Sequence, residues 1–407
     1  MKKVFLFALI ILITVPNISN AASIKAIKSL VDLPYSNNDQ VSDIAISGKN
    51  ILLTGTTESS SSNWVTGSLS GLSDGFLISY TTTGIQNWGL RLGNLNNEIA
   101  TSIALDQDGS IWVVGASNNL IQPTPPINPT GVLNPDNVPI NPIQAPSSPM
   151  NRVKLWQVSN SGALINSFEY VTENVIYPKK LLVSGSNLII LGTSYSGVLT
   201  RGFFLSASKS GVFSNISVIG NKSTQINSAI INNDSSITAV GSSSEQILKA
   251  KPIAKVDAIT LRISNAGVIQ QVARATLKST IRSWDSIDLG LLQGGKVTYS
   301  NKTEAAVTKF SGLSKPVWNV RYLSRSTALV AAGKNSWATF VSSGAIKGIS
   351  SWKPKNPTPV VLEFGKKGEL VNAYTIASPA VVIDTSTDIG TVLVTDSGKS
   401  FGLLLIN

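Results

Sequence analysis

One phrase returns along this chain and limits the folds open to it: an apolar run closed by a small-residue turn that ends in glycine. It is written DGFLISYTTTG (74–84), VKLWQVSNSG (153–162), GFFLSASKSG (202–211), AITLRISNAG (258–267), AAVTKFSG (305–312) and VVLEFGKKG (360–368), and a seventh run, FGLLLIN (401–407), closes the sequence. Each of the first six is followed by another run, such as IQNWGLRLG. Each of the seven is preceded by two runs joined by a short polar turn, such as TSIALDQDGSIWVVGAS and NSAIINNDSSITAVGSS. Period-two alternation broken by Gly, Asn, Asp and Ser reads as strands, and no stretch keeps a helical period. Four short strands recurring roughly every 41 to 56 residues, apart from one long insertion, is the rhythm of propeller blades.

The expected fold is therefore all-β: a seven-bladed β-propeller of four-stranded antiparallel blades. Blade 1 spans 41–93 and blade 2 spans 99–171, with a Pro-rich insertion at 118–152; blade 3 is 176–219, blade 4 is 225–276 and blade 5 is 282–323. Blade 6 is 326–376, and blade 7, 379–407, lacks its last strand. Residues 24–33, IKAIKSLVDL, belong to no unit. Laid beside FGLLLIN, this N-terminal strand completes blade 7 and removes two open sheet edges.

Residues 74–117 carry a more specific likeness. Asp74-Gly75-Phe76, Gly84, Trp88, Leu92-Gly93, Ala100, Ile103-Ala104, Asp106, Gly109, Ile111-Trp112-Val113 and Gly115 resemble the SBBP-type β-propeller repeat of exported bacterial proteins. Later units keep the strand rhythm but drop the leading Asp-Gly and the Trp. The resemblance implies a propeller scaffold and no catalytic residues. Within this unit Asp106-Gln107-Asp108-Gly109 has the spelling of a calcium loop. An EF-hand starting at Asp106 would need Gly at its sixth position and Glu at its twelfth, where this chain has Ile111 and Ser117. The stretch reads instead as a tight strand-to-strand turn with Gly109 at positive φ.

The opening MKKVFLFALIILITVPNISNAAS has the form of a signal peptide, 1–21, with a positive start, a short apolar middle and small residues before a cut after Ala21. No later stretch reaches the apolar length of a membrane helix. The chain is expected to be secreted, extracellular or at the cell surface, with 22–407 a single domain and a monomer. It has no cysteine and no histidine. That excludes disulfides, thiolate and imidazole metal sites, and Ser-His-Asp or Cys-His catalysis. No cofactor and no metal site are expected.

Without Lys2 and Lys3 the net charge of +11 becomes +9. Residues 23–230 hold 11 basic and 11 acidic side chains, and residues 231–407 hold 20 and 11, so the excess lies in the second half. A basic surface on an exported protein attracts anionic wall polymers, acidic glycans or nucleic acid. The Lys and Arg residues are scattered and no recognition motif is present, so no specific nucleic-acid partner is expected.

With the four strands of each blade lettered A to D in chain order, the A–B and C–D turns of a propeller share one face and the B–C and D–A loops the other. Long B–C loops are expected in blade 1 (57–74), blade 2 (118–152), blade 4 (243–257) and blade 6 (341–359), which marks that face as the binding face. The blade 2 loop holds 9 of the 18 prolines, among them Pro123, Pro125, Pro126 and Pro129, and reads as polyproline-like rather than packed. Lys249, Lys251 and Lys255 in one loop, Lys347, Trp352, Lys353 and Lys355 in another, and Trp64 in a third combine cations with flat indole faces. They are the candidate binding residues for an anionic polysaccharide or a surface protein. The D–A loops bring Asn38, Asp39, Asn97, Glu98 and Glu173 as a candidate polar ring at the channel mouth. The leading reading is a non-catalytic binding or structural module. The competing one is a carboxylate-dependent glycan hydrolase or lyase, with Glu58, Asp74, Asp39 and Glu98 as first candidates.

Overall fold

The computed structural model describes residues 23–35, 38–60, 64–118, 149–350 and 352–407. The signal-peptide segment and nearly all of the Pro-rich insertion lie outside the described residues. Seven antiparallel sheets follow one another along the chain as the blades of a propeller. Their innermost, first strands are Gln40–Ser47, Glu98–Leu105, Val175–Ser184, Thr224–Ile231, Ile281–Asp288, Leu329–Ala332 and Ala380–Ser386. The middle strands of each blade are covered on both faces by neighbouring blades, which is why they are written as unbroken apolar runs. Ile51, Leu52 and Leu53 are all buried, as are Trp112, Val113 and Val114. Each such side chain contributes about 1.5–3 kcal/mol of burial.

A second regularity sets the geometry of the axis. In six of the seven blades the register of the first strand against the second slips by one residue, as it does between Val41 and Asp43, Ala100 and Ser102, Ile226 and Ser228. The slip is a bulge, and it pushes a carbonyl of the first strand against the second. In five blades that contact falls on a glycine. A Cβ on Gly115 would stand 1.7 Å from the Ile99 carbonyl oxygen, and at Gly55, Gly192, Gly241 and Gly295 the corresponding gap is 1.9 to 2.2 Å. The repeated spellings LTG, VVG, ILG and AVG are the sequence trace of this close approach.

Adjacent blades interlock at the rim of the opposite face. The glycine of a C–D turn lies flat on a side chain of the preceding blade: Gly162 on Trp88, Gly211 on Phe168, Gly267 on Phe204 and Gly368 on Trp318. Closure differs in detail from the sequence expectation. Residues 24–33 do not form one strand. Val31–Pro34 pairs antiparallel with Ser400–Ile406 and completes blade 7, as expected. Ile24–Ala26 instead runs parallel to Leu370–Thr375 as a fifth strand of blade 6. The segment steps from one blade edge to the next, with Ile27 N–H donating to the Thr375 carbonyl and Leu30 N–H to that of Leu403. Val31 then packs on Gly84 of blade 1. The N-terminal strap thus ties three blades together across the seam.

Candidate functional site: axial channel and long-loop face

The first strands enclose a cavity of about 660 Å³ on the propeller axis. The bulges decide what faces it, because an inserted residue changes which side chains of a strand point inward. Blade 1 brings Asp43, blade 3 Lys179 and Lys180, blade 4 Asn227, blade 5 Asp285 and Asp288, and blade 7 Asp384. Four carboxyl groups and two amines therefore line one channel.

Their bonds run from blade to blade. Oδ2 of Asp43 accepts from Ser102 Oγ at 2.6 Å, from Ile103 N–H at 3.2 Å and from Lys180 Nζ at 3.1 Å. Ser102 Oγ in turn accepts from Leu181 N–H at 3.2 Å, and Ser286 Oγ from Val330 N–H at the same distance. A polar side chain on one inner strand thus holds the backbone of the next. Asp285 accepts from Asn227 at 3.1 Å and from Thr327, and Asp288 from Ala332 N–H at 2.7 Å. Burial acts to lower the pKa of Lys180, but Asp43, Asp384 and Asp288 outweigh it and hold the amine charged. Burial, and then the proximity of Asp288, push Asp384 up to about 7. Asp288 is also raised by burial, against the opposing effect of its Ala332 and Leu289 N–H bonds. Asp43, Asp288 and Asp384 are thus arranged about the Lys180 ammonium group, with Lys179 beside it on the same strand.

The opposite charge dominates the long-loop face. B–C loops and D–A loops share that face, bonded to each other by Glu98 N–H to the Ser73 carbonyl and by Leu72 N–H to Asn97 Oδ1 at 2.8 Å. The B–C connections are long in blades 1, 2, 4 and 6, and tight in blades 3, 5 and 7. Lys249, Lys251, Lys255, Lys347, Lys353 and Lys355 are all exposed, as expected from the sequence. Between the two loops that carry them, blade 5 has only the turn after Tyr299, so exposed Lys278, Lys302 and Arg325 fill the sector over blades 4 to 6.

The acids of this sector are consumed internally. Glu245 is buried and accepts from the N–H groups of Asn221, Lys222 and Ser223 and from Thr224 Oγ1. Burial would raise its pKa, but these donors win and hold it low. Asp257 pairs with Arg274 at 3.1 Å, and Glu304 with Arg321 at 3.4 Å.

These pairs belong to a pattern not recognised in the sequence. Asp74–Arg91, Asp257–Arg274 and Arg152–Glu169 are each separated by 17 residues, and so is Glu304–Arg321. Asp74, Arg152 and Asp257 begin the third strand of their blades, Glu304 is the third residue of its own, and the second member always lies near the end of the fourth strand. Blade 2 keeps the pair with its signs exchanged. In blades 1 and 4 the arginine reaches back to the start of the long B–C loop: Arg91 donates to the Ser59 carbonyl at 3.2 Å, and Arg274 to that of Glu245. The clamp holds the root of the loop, and the loop carries the exposed residues. An acid and a base 17 positions apart, recurring in four units, would have been the signal.

Several expected site residues sit elsewhere. Trp64 is not an exposed stacking face: it is buried, edge-on to Phe76 at 5.0 Å, with Nε1–H donating to the Pro34 carbonyl at 3.3 Å. An indole that large is worth more under the closing strand than in water. Trp352 is half-buried against the core that includes Ile346 and Ile349. The expected mouth ring does not line the channel either. Asp39 is buried and accepts from Glu58 N–H at 2.7 Å and Ser59 Oγ at 2.8 Å, fastening the blade 1 loop. Asn97 is buried beneath Leu72, while Asn38 and Glu173 are exposed, with Asn38 donating to Glu58 at 3.0 Å. Glu98 is fully buried. Burial first, then Asp74, raise it to about 7, against the Asn94 N–H and Lys154. Three of the four carboxylates singled out for glycan cleavage, Asp39, Asp74 and Glu98, thus sit inside the fold.

The turn at Asp106 is a turn. Gly109 has φ +84° and its N–H donates to the Asp106 carbonyl, while Asp108 accepts from Ser110 N–H and Oγ. Among the described residues no group of three or more acidic side chains gathers as a metal site. No described helix is long and apolar enough to cross a membrane.

No protein-family model matches the chain, and no curated protein matches it in sequence. Solved structures similar to it include BamB from Moraxella catarrhalis, 10% identical, with TM-score 0.42 over 94% of this chain and 100% of that one. The WD40 domain of Toxoplasma gondii coronin is 11% identical, with TM-score 0.47 over 95% and 88%. Chaetomium thermophilum Sqt1, bound to the N-terminus of ribosomal protein L10, is 10% identical, with TM-score 0.46 over 93% and 100%. At this distance they say nothing of a ligand. The fold supports a binding or structural module in general.

Proposed function

We propose that this protein is an exported, non-catalytic binding module that captures an anionic polymer, a surface glycan or wall polymer, on the long-loop face over blades 4 to 6. The carrying observation is the set of exposed cations on that face, above acids that are all consumed inside the fold. Lysines on two long loops flanking the low blade 5 form a basic saddle, and an extended polyanion laid across it would release counter-ions from both sides. Attraction through lysine rather than through a stacked indole is the reading that buried Trp64 supports. The likeness of residues 74–117 to SBBP-type repeats of exported bacterial proteins agrees with it and rests on those residues alone.

Retention of residues 22–407 on immobilised anionic polysaccharide over a salt gradient tests the reading. Replacing Lys249, Lys251, Lys353 and Lys355 together by Ala should abolish retention at moderate salt without lowering the melting temperature. Unchanged, salt-insensitive retention of that variant would overturn it.

A second reading draws on Asp384, whose raised pKa beside Asp288 would suit a general acid. A glycan hydrolase or lyase of that kind would release reducing ends or unsaturated products from the polymers bound, and Asp384→Asn would stop it. The non-catalytic reading expects no product from either protein.

A further inference from the structure

The outer strands of blades 4 and 5 meet over a cleft of about 380 Å³ that the polymer-binding face does not use. Three guanidinium groups line it: Arg274 from blade 4, and Arg282 and Arg321 from blade 5. Arg274 and Arg321 have carboxylates of their own, Asp257 and Glu304. Arg282 has none. Among the described residues no carboxylate, carbonyl or hydroxyl accepts from its side chain, and its Nε is buried without a partner. Its one contact of note is the Trp284 ring, 4.4 Å from Cζ. Burial, and then the neighbouring Arg321, pull its pKa down to about 10, a mark of a cation held where its charge is uncompensated.

A half-buried guanidinium whose Nε is cut off from water without a partner, set beside a second guanidinium, is costly, and the same space could be filled by an apolar side chain at lower cost. Stacking on Trp284 offsets part of that cost but satisfies none of the donors. Those donors form a planar fork, which matches an oxyanion with two parallel acceptor atoms. Thr308 and Asn319 on the same walls add neutral hydrogen-bonding groups, and Phe310 adds an apolar surface. The volume suits a molecule of monosaccharide size.

We propose that this cleft between blades 4 and 5 binds an oxyanion, carboxylate or phosphate, carried on a monosaccharide-sized molecule, with Arg282 as its principal partner. The site is independent of the surface lysines: it stands on one half-buried guanidinium without a partner among the described residues and on the cleft around it.

Calorimetric titration of residues 22–407 at low ionic strength with glucuronate, glucose 6-phosphate and glucose tests it and separates the two oxyanions. Saturable binding of at least one acid, and none of glucose, is expected. Arg282→Gln should weaken that binding at least tenfold while melting no lower than the parent without ligand. Arg282→Lys, which keeps the charge and loses the fork, should weaken it about fivefold and serves if the Gln variant does not fold. The variant lacking Lys249, Lys251, Lys353 and Lys355 should bind the small acids as the parent does, so failure of the polymer reading and failure of this one are told apart. Absence of saturable binding to either acid, or undiminished binding by the Arg282 variants, would overturn the proposal.

Discussion

Asp384→Asn should make the protein more stable, by a margin that grows as pH rises from about 3.8 to about 7. The Asp384 carboxyl faces the channel, Oδ1 accepts from Thr385 N–H at 2.8 Å, and burial together with Asp288 lifts its pKa from 3.8 to about 7. Asp43 adds to the lift, while Lys180 resists it. An acid with a raised folded pKa holds its proton more tightly in the fold than in the unfolded chain. The stability so gained is complete below about pH 3.8 and is lost as pH rises through about 7. The difference, 7 minus 3.8, at about 1.36 kcal/mol per unit, sets an upper bound of about 4 kcal/mol. Water in the channel and the shared titration of Asp288 trim it to ~2–3 kcal/mol.

Asparagine keeps the acceptor for Thr385 and never ionises. Urea unfolding followed by tryptophan fluorescence at about pH 3.5, 5, 6, 7 and 8.5 should therefore give nearly equal stabilities at the lowest pH. The curves should separate progressively as pH rises from about 3.8 and keep a constant separation above about 7, the variant being the more stable. Parallel curves, or a variant less stable at pH 8.5, would refute the reasoning. The second result would mean that the ionised carboxylate is needed as a counter-ion of Lys180.

Three further outcomes follow from the packing. Gly115→Ala places a methyl 1.7 Å from the Ile99 carbonyl and should cost about 3–5 kcal/mol in thermal unfolding, whereas Gly109→Asn, with nothing within 4 Å, should stay within about 1 kcal/mol. Asp257→Asn should cost about 3 kcal/mol at pH 7, because Asp257 accepts from Ile253 N–H, Ala254 N–H and Arg274 and its pKa is held low against its burial. Asp74→Asn in the same clamp should cost less than about 1 kcal/mol, because burial outweighs Ser70 N–H and Arg91 and raises its pKa; chemical denaturation of the two variants compares them. Trp64→Ala should lose about 3–5 kcal/mol by removing a buried indole from the blade 1 seam, with polymer retention unchanged at temperatures where the variant is folded.

Blade number, strand order, the two-ended closure and the face bearing the long loops were legible because each follows from local spelling. A turn glycine and a period-two run need no knowledge of what lies across the ring. The channel was not legible, for a physical reason. SDIAIS, KKLLVS, NSAIIN and DSIDLG look like ordinary alternating strands, and which of their residues turn inward depends on bulges opposite Gly55, Gly192, Gly241 and Gly295. One inserted residue shifts the phase of every side chain before it. Attention to loop carboxylates therefore selected Asp39 and Glu98, which are held inside, and passed over Asp43, Asp288 and Asp384, which face the cavity. Trp64 misled for a related reason. A tryptophan in a Ser-rich loop reads as exposed until the closing strand that covers it is in place.

The exceptions to the repeat are the more informative positions. Blade 6 has Phe340 where five other blades have the close-approach glycine, and its first strand shows no bulge; Ser326 Oγ there takes the Val341 N–H that a bulged backbone would otherwise meet. The clamp in blade 2 exchanges its signs and still pairs, so that position is selected for pairing rather than for a given charge. Arg282 breaks the rule differently: it is a charged residue near the start of an inner strand whose side chain has no hydrogen-bonded partner among the described residues. Deviations that keep a structural bond are repairs of the scaffold. A deviation that leaves a buried donor, Arg282 Nε, unsatisfied serves no repair, and in a ring built from seven similar units it is the position for which a bound oxyanion supplies the missing partner.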